Sequence, residues 1–185
     1  GAQEGDCILL VKSIPIEATA IIAREQVALL RERGVPEATI ERARDYLFDP
    51  GISVLRPAQL AANCPGVHAM HDPTEGGLAT GLHELAHAAG LGLEIWGDAI
   101  PLAPEGARFC ELLGLDPLGI IASGALIVAV APAEADALLH TLTAAGYPAA
   151  IIGRTTAQCK GRWLLRAGQR EPLPEFARDE IARLF

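Results

Sequence analysis

Runs of apolar residues alternate along this chain with amphipathic stripes, and the spacing of each predicts its element. Asp6 to Lys12 is a short, almost wholly apolar run of the kind that fills a central strand. Ile16 to Arg33 follows with Ala20, Ala23, Val27 and Leu30 on one stripe and Arg24, Arg31 and Glu32 off it, which predicts a helix closed by Gly34. Pro36 opens a second helix with Ile40, Ala43 and Leu47 inward, stopped by Asp49-Pro50-Gly51. Arg56 to Ala62 predicts a short helix leading into a strand at Val67. Further on, Leu91 to Trp96, Ala125 to Ala131, Ala149 to Gly153 and Arg162 to Arg166 predict strands. Pro104 to Leu113, the stripe Ala135/Leu138/Leu142/Ala145 and Glu175 to Leu184 predict helices, with Gly119 to Ala122 irregular. Strands and helices alternate without internal repeats or long linkers. The expectation is one α+β (α/β layered) domain over residues 1–185, a mixed sheet covered by helices.

The stretch Val67 to Leu78 interrupts this regular pattern. It reads as a strand, an abrupt turn, and a helix with Asp72 as N-cap, Pro73 at the first helical position and Glu75 at the third. The helix carries Leu78, Leu82, Leu85 and Ala89 on one stripe and ends at Gly90. Gly76 and Gly77 fall inside its first turn, where each costs about 1 kcal/mol relative to alanine. Two explanations stand side by side. The glycines expose amides at a helix start to an anion or phosphate, or they let a neighbouring element pack closely. In the first case alanine at both positions holds or raises the melting temperature while binding falls; in the second, it lowers the melting temperature.

Composition narrows the chemistry. Half the residues are apolar but only 4% are aromatic, so the core is built from Ala, Leu, Ile and Val. A net charge of −8 without a basic run argues against nucleic acid as a partner. The longest apolar run, Ala125 to Pro132, is far short of the roughly 20 residues of a membrane span. Cys7, Cys64, Cys110 and Cys159 are scattered without a C-x-x-C pair, the pattern of reduced thiols in a cytoplasm. His83-Glu84-Leu85-Ala86-His87 matches the H-E-x-x-H zinc signature, and Gly90 extends the match, but the third-ligand position holds Leu93. Helical geometry turns both histidines roughly opposite the Leu78/Leu82/Leu85 stripe, toward solvent. A zinc hydrolase is thus a distant reading and no metal site is expected. Lys12 and Ser13 after the first strand, and Ser123 and Gly124 before the strand at Ala125, are possible cleft residues, since α/β proteins place ligand groups at strand ends.

The run His71-Asp72-Pro73-Thr74-Glu75-Gly76-Gly77-Leu78-Ala79, continued by Leu82-His83-Glu84-Leu85-Ala86 and Gly90-Leu91-Gly92, resembles the C-terminal domain of the aminoimidazole ribonucleotide (AIR) synthase superfamily. Ala99 to Leu102, Glu111 to Leu118, Ser123 to Ile127 and Ala150 to Arg154 extend the likeness, which spans Gly5 to Thr156. The superfamily also holds selenophosphate synthetase, thiamine-monophosphate kinase and the hydrogenase maturation dehydratase; the last branch and uncharacterised AIR-synthase-related proteins look closest. The resemblance implies the C-terminal half of a two-domain, homodimeric, ATP-dependent enzyme. ATP and magnesium would come only with an N-terminal domain absent from this sequence. The implied cleft for a small phosphorylated ligand lies at Asp72, Thr74, Gly76 and Gly77, in a half that is inactive alone. A regulatory or dimerisation domain is the alternative. Two departures stand out. The hydrogenase maturation branch ends in a reacting cysteine where this sequence ends in Phe185, and Glu75 puts a negative charge beside the implied phosphate position.

Overall fold

The computed structural model describes residues 1–185 and contains one seven-stranded mixed sheet with helices against it. In chain order its strands are β1 (Cys7–Val11), β2 (Val67–His71), β3 (Leu91–Trp96), β4 (Leu126–Val130), β5 (Ala149–Ala157), β6 (Arg162–Arg166) and β7 (Gln169–Pro172). They lie in the order β2-β4-β1-β5-β3-β6-β7. All neighbours are antiparallel except β3 and β6. The helices are α1 (Glu17–Glu25), α2 (Val27–Glu32), α3 (Glu37–Arg44), α4 (Leu55–Ala62), α5 (Gly77–Ala89), α6 (Pro104–Leu113) and α7 (Pro132–Ala144).

Why the two central strands are apolar throughout follows from their position. Ile8 and Leu10 of β1 and Ile127 and Ala129 of β4 enter one core together with Leu78, Leu82 and Leu85 of α5. The alternate residues Leu9, Val11, Leu126, Val128 and Val130 enter a second core with Ala61 of α4 and Ala135, Leu138 and Leu142 of α7. Ile127 and Val128 are fully buried. Each large aliphatic side chain so placed contributes roughly 1.5–3 kcal/mol. A third core contains no strand residue, joining Ile22, Leu30, Ile40 and Phe109 from α1, α2, α3 and α6 with Val35, Leu115 and Ile120 from the connecting segments.

Three elements differ from the pattern-based expectation. The helix expected over Ile16 to Arg33 breaks at Gln26, whose backbone leaves the helical region (φ −113°, ψ 30°) and whose side chain donates to the Leu184 carbonyl at 3.0 Å. The terminal helix expected from Glu175 reduces to one 3-10 segment, Glu180–Leu184. Asp179 sets that late start by accepting from the Ile181 amide at 2.9 Å, while the Glu180 amide bonds the Gly119 carbonyl instead of its own chain segment. Strand β7 carries no apolar alternation, because all four of its residues are exposed at the sheet edge. The two-residue turn before it, Ala167-Gly168, has positive φ at both positions and lacks the Asn-Gly or Asp-Gly signature of such hairpins.

Candidate functional site

The pairing register brings three chain crossings to one edge of the sheet. Val11 pairs with Leu126, and His71 pairs with Ile127, so the ends of β1 and β2 and the start of β4 are level. Lys12-Ser13, Asp72 to Gly77, and Ser123-Gly124 therefore leave the sheet side by side. The eight sequence-derived positions share this edge and fall into two groups.

The first group is the glycine corner. The structure corrects the expected helix start: α5 begins at Gly77, preceded by an irregular segment in which Asp72, Thr74 and Glu75 are exposed and Pro73 is buried, so Asp72 is not an N-cap and Glu75 does not complete a capping box. Gly76 and Gly77 both take left-handed backbone conformations, φ +75° and +69°. A Cβ on Gly77 would collide with the Leu118 carbonyl and stand 2.7 Å from the Ile120 carbonyl. A Cβ on Gly76 would meet the Thr80 side chain. Close packing against the 118–120 segment is thus a structural reason for the glycine at 77. The corner's polar groups are mostly paired within the chain. The Thr74 carbonyl accepts from the Gly77 amide at 3.1 Å and the Ala122 amide at 3.2 Å, and the Ala79 amide donates to the Leu118 carbonyl at 2.9 Å. The Gly76 amide donates to Asp179 Oδ2 at 2.8 Å. A carboxylate already stands at the position expected for an anion. Nothing in the local sequence announces Asp179, which lies 103 residues away.

The second group surrounds Lys12. This lysine is only 3% exposed and has left-handed backbone geometry (φ +65°). Its ammonium donates to the carbonyls of Gly51 at 2.8 Å and Ser53 at 2.9 Å, pinning the loop that follows the α3 region. Burial pushes its pKa down, since no carboxylate offsets the lost hydration. Gly124 packs against the same loop, where a Cβ would lie 3.1 Å from Ile52 Cα. Ser13 opens on a polar recess of about 410 Å³ lined by Arg42, Asp45, Tyr46, Asp49 and Glu105. Lys12 and Gly124 thus hold one loop, with Ser13 beside it, and Ser123 joins them to the segment that packs on the glycine corner.

The two histidines on α5 play different parts. His87 is exposed. His83 is half-buried: Nε2 donates to the carbonyls of Leu173 and Pro174, both at 3.2 Å, and Nδ1 faces Arg162 Nη1 at 3.1 Å. That arrangement sets a neutral ring with its proton on Nε2. The expectation that His83 faces solvent is therefore corrected; it clasps the C-terminal segment. No three His, Cys, Asp or Glu side chains are grouped to hold a metal ion. No helix is long and apolar enough to cross a membrane.

Comparison with known proteins places this geometry in context. The model of the family described as AIR synthase related protein, C-terminal domain, matches residues 3–165. Carbamoyl dehydratase HypE of Cupriavidus necator is 36% identical over 148 residues, covering 80% of this chain and 38% of that protein. The crystal structure of E. coli HypE superposes with a TM-score of 0.77 at 29% identity, covering 99% of this chain and 53% of that one. A second HypE, crystallised in complex with ATP, shares the fold with a TM-score of 0.70 at 24% identity, over 97% of this chain and 53% of that one. The chain spans about half the length of such structures or less than half of the curated relative.

Proposed function

This chain belongs to the AIR synthase related family, matching its C-terminal domain, and we propose that it is the C-terminal half of an ATP-dependent enzyme of the HypE kind. In this reading it lines one wall of a cleft for a small phosphorylated ligand and does not turn over ATP by itself. An N-terminal AIR-synthase-like domain supplies the nucleotide and magnesium sites, and the whole works as a homodimer in the cytoplasm. The observation that carries the reading is the shared sheet edge. Three crossings far apart in sequence deliver Lys12-Ser13, Asp72 to Gly77 and Ser123-Gly124 to one place, where α/β proteins gather ligand groups. At the corner Asp72 and Thr74 are exposed, and they precede α5, whose N-terminal dipole favours negative charge by about 0.3–1 kcal/mol.

The half-enzyme reading is tested by purifying the chain alone, assaying ATP hydrolysis, and titrating inorganic phosphate while following backbone amide resonances. The expected result is no turnover, with weak perturbation of Thr74 through Gly77. Turnover that survives repurification and disappears with Asp72→Ala overturns it.

A further inference from the structure

Residues 173–185 do not trail away from the domain; they are tied across the glycine corner at several independent points. The Leu173 amide donates to the Arg162 carbonyl at 3.0 Å, and His83 clasps the next two carbonyls. The Phe176 ring lies so close over Gly119 that a Cβ there would stand 2.5 Å from it. Glu180 binds both sides of the 116–119 turn, its amide donating to the Gly119 carbonyl and its carboxylate accepting from the Asp116 amide, each at 3.0 Å. Arg183 donates to the Gly114 carbonyl at 3.0 Å, and Ile181 and Leu184 pack against the helical core. The 114–122 segment is therefore sandwiched, with Gly77 on one flank and this strap on the other.

We propose that the strap is a built-in closure of the cleft, with the Asp179 carboxylate occupying the Gly76 amide in place of an anionic ligand. The proposal rests on the reading of the corner as a ligand-binding wall and adds how access to it is controlled. The chemistry is exchange of one anion for another. The Asp179 carboxylate accepts from the amide that a phosphate oxygen would use, and with Asp72 and Glu75 close by in sequence to that amide its charge repels a free phosphate. An anionic ligand enters only when Asp179 leaves. Departure breaks the charge-assisted hydrogen bond at Gly76 together with the Glu180 and Arg183 ties to the 114–119 segment, while the His83 clasp can keep residues 173–174 in place. The movement needed is thus confined to the segment beyond Pro174.

The test compares the wild-type chain with Asp179→Ala and Asp179→Ser, the serine retaining an oxygen to cap the 3-10 segment without charge. Thermal melting checks that both variants fold. Hydrogen exchange at the Gly76 amide is measured without ligand, and inorganic phosphate is then titrated against the amide resonances of residues 74–77. Faster Gly76 exchange in both variants, with phosphate affinity raised at least tenfold over wild type, is the expected result. Faster exchange with unchanged phosphate affinity overturns the closure and leaves the ligand-wall reading standing. Phosphate perturbing none of the three proteins at residues 74–77 overturns both. In wild type, phosphate binding is expected to shift Phe176 and Ile181 as the strap lifts; binding that leaves those signals in place also sinks the closure.

Discussion

The hydroxyl of Tyr46 donates to Glu105 Oε2 across 2.5 Å, while Arg42 Nε reaches Oε1 of the same carboxylate at 3.0 Å. One carboxylate at the start of α6 thereby anchors the end of α3 and forms the floor of the recess beside Ser13. The Tyr46 hydrogen bond, then Arg42, holds Glu105 below the usual carboxylate range; burial, then Glu105, pushes the Tyr46 phenol up.

These shifts fix the sign of a pH effect. A carboxylate depressed in the folded state contributes stability that is present above its unfolded pKa and lost as pH falls through the folded one. A phenol raised in the folded state contributes stability that is present below its unfolded pKa, about 10, and lost as pH rises toward the folded one. Tyr46→Phe is expected to flatten both limbs. Melting temperatures across the acid range below about pH 4.5 and the alkaline range above about 10 check this; limbs as steep as wild type refute it.

Gly77 and Gly76 are expected to respond differently to alanine. At Gly77 the added Cβ meets backbone carbonyls of Leu118 and Ile120, which cannot step aside, and the backbone is left-handed. The loss is expected to be about 2–4 kcal/mol, a Tm lower by roughly 5–15 °C. At Gly76 the backbone is left-handed too and the added Cβ stands 2.9 Å from Thr80 Cβ, which no rotamer change moves, but the obstacle is one side chain and not two carbonyls, so a smaller loss of about 1–2 kcal/mol is expected. Equal losses for the two single variants would show that the 118–120 segment yields.

Asp6 is 2% exposed and accepts from the Gln3 amide at 2.7 Å and from His68 Nδ1 at 2.9 Å. His68→Ala removes one of two partners from a buried carboxylate. A loss of about 1–3 kcal/mol is expected by denaturant titration. A change within about 0.5 kcal/mol would mean that water takes the place of the imidazole.

The cysteines are expected to separate cleanly by reactivity. Burial, then Asp116 and Glu180, pushes the Cys110 thiol up to about 12, whereas Cys159 is exposed. Alkylation of the native chain at pH 8, mapped by mass spectrometry, is expected at Cys159 and not at Cys110. Modification of Cys110 at a comparable rate would show that α6 opens readily.

The elements legible in the sequence are those whose partners lie close by or whose pattern is one-sided. Leu91 to Trp96 and Pro104 to Leu113 match β3 and α6 at both ends, because a glycine or proline marks a boundary of each. The DPTEGG turn identified the family, yet local propensity misplaced the helix start. Asp72 and Pro73 make good opening residues, but the Thr74 carbonyl is committed to Gly77 and Ala122, and the left-handed pair at 76–77 defines where α5 begins. Of the candidate site residues, Lys12 and Gly124 are legible as strand-end positions, while their common purpose of holding the 51–53 loop is not. Asp179, Phe176 and the turning of His83 toward Leu173 depend on contacts between residues far apart in the chain, up to 103 positions for Asp179 and Gly76, for which one chain offers no periodicity.

The sheet order has a consequence for synthesis. β1, with its fully buried Ile8 to Val11, sits between β4 and β5, so Cys7 pairs with Val130 on one side and Arg154 on the other. No strand that emerges earlier can cover it. At about 5–20 residues per second, roughly 7–30 s pass between the appearance of β1 and completion of both neighbours on the ribosome. Until β4 emerges, the most apolar strand of the first half of the chain is without a hydrogen-bonding partner, and one of its sides stays open until β5 follows. The domain's last third acts as the gatekeeper of its first, and truncations upstream of β5 are expected to reach the cell as aggregates instead of as smaller folded units.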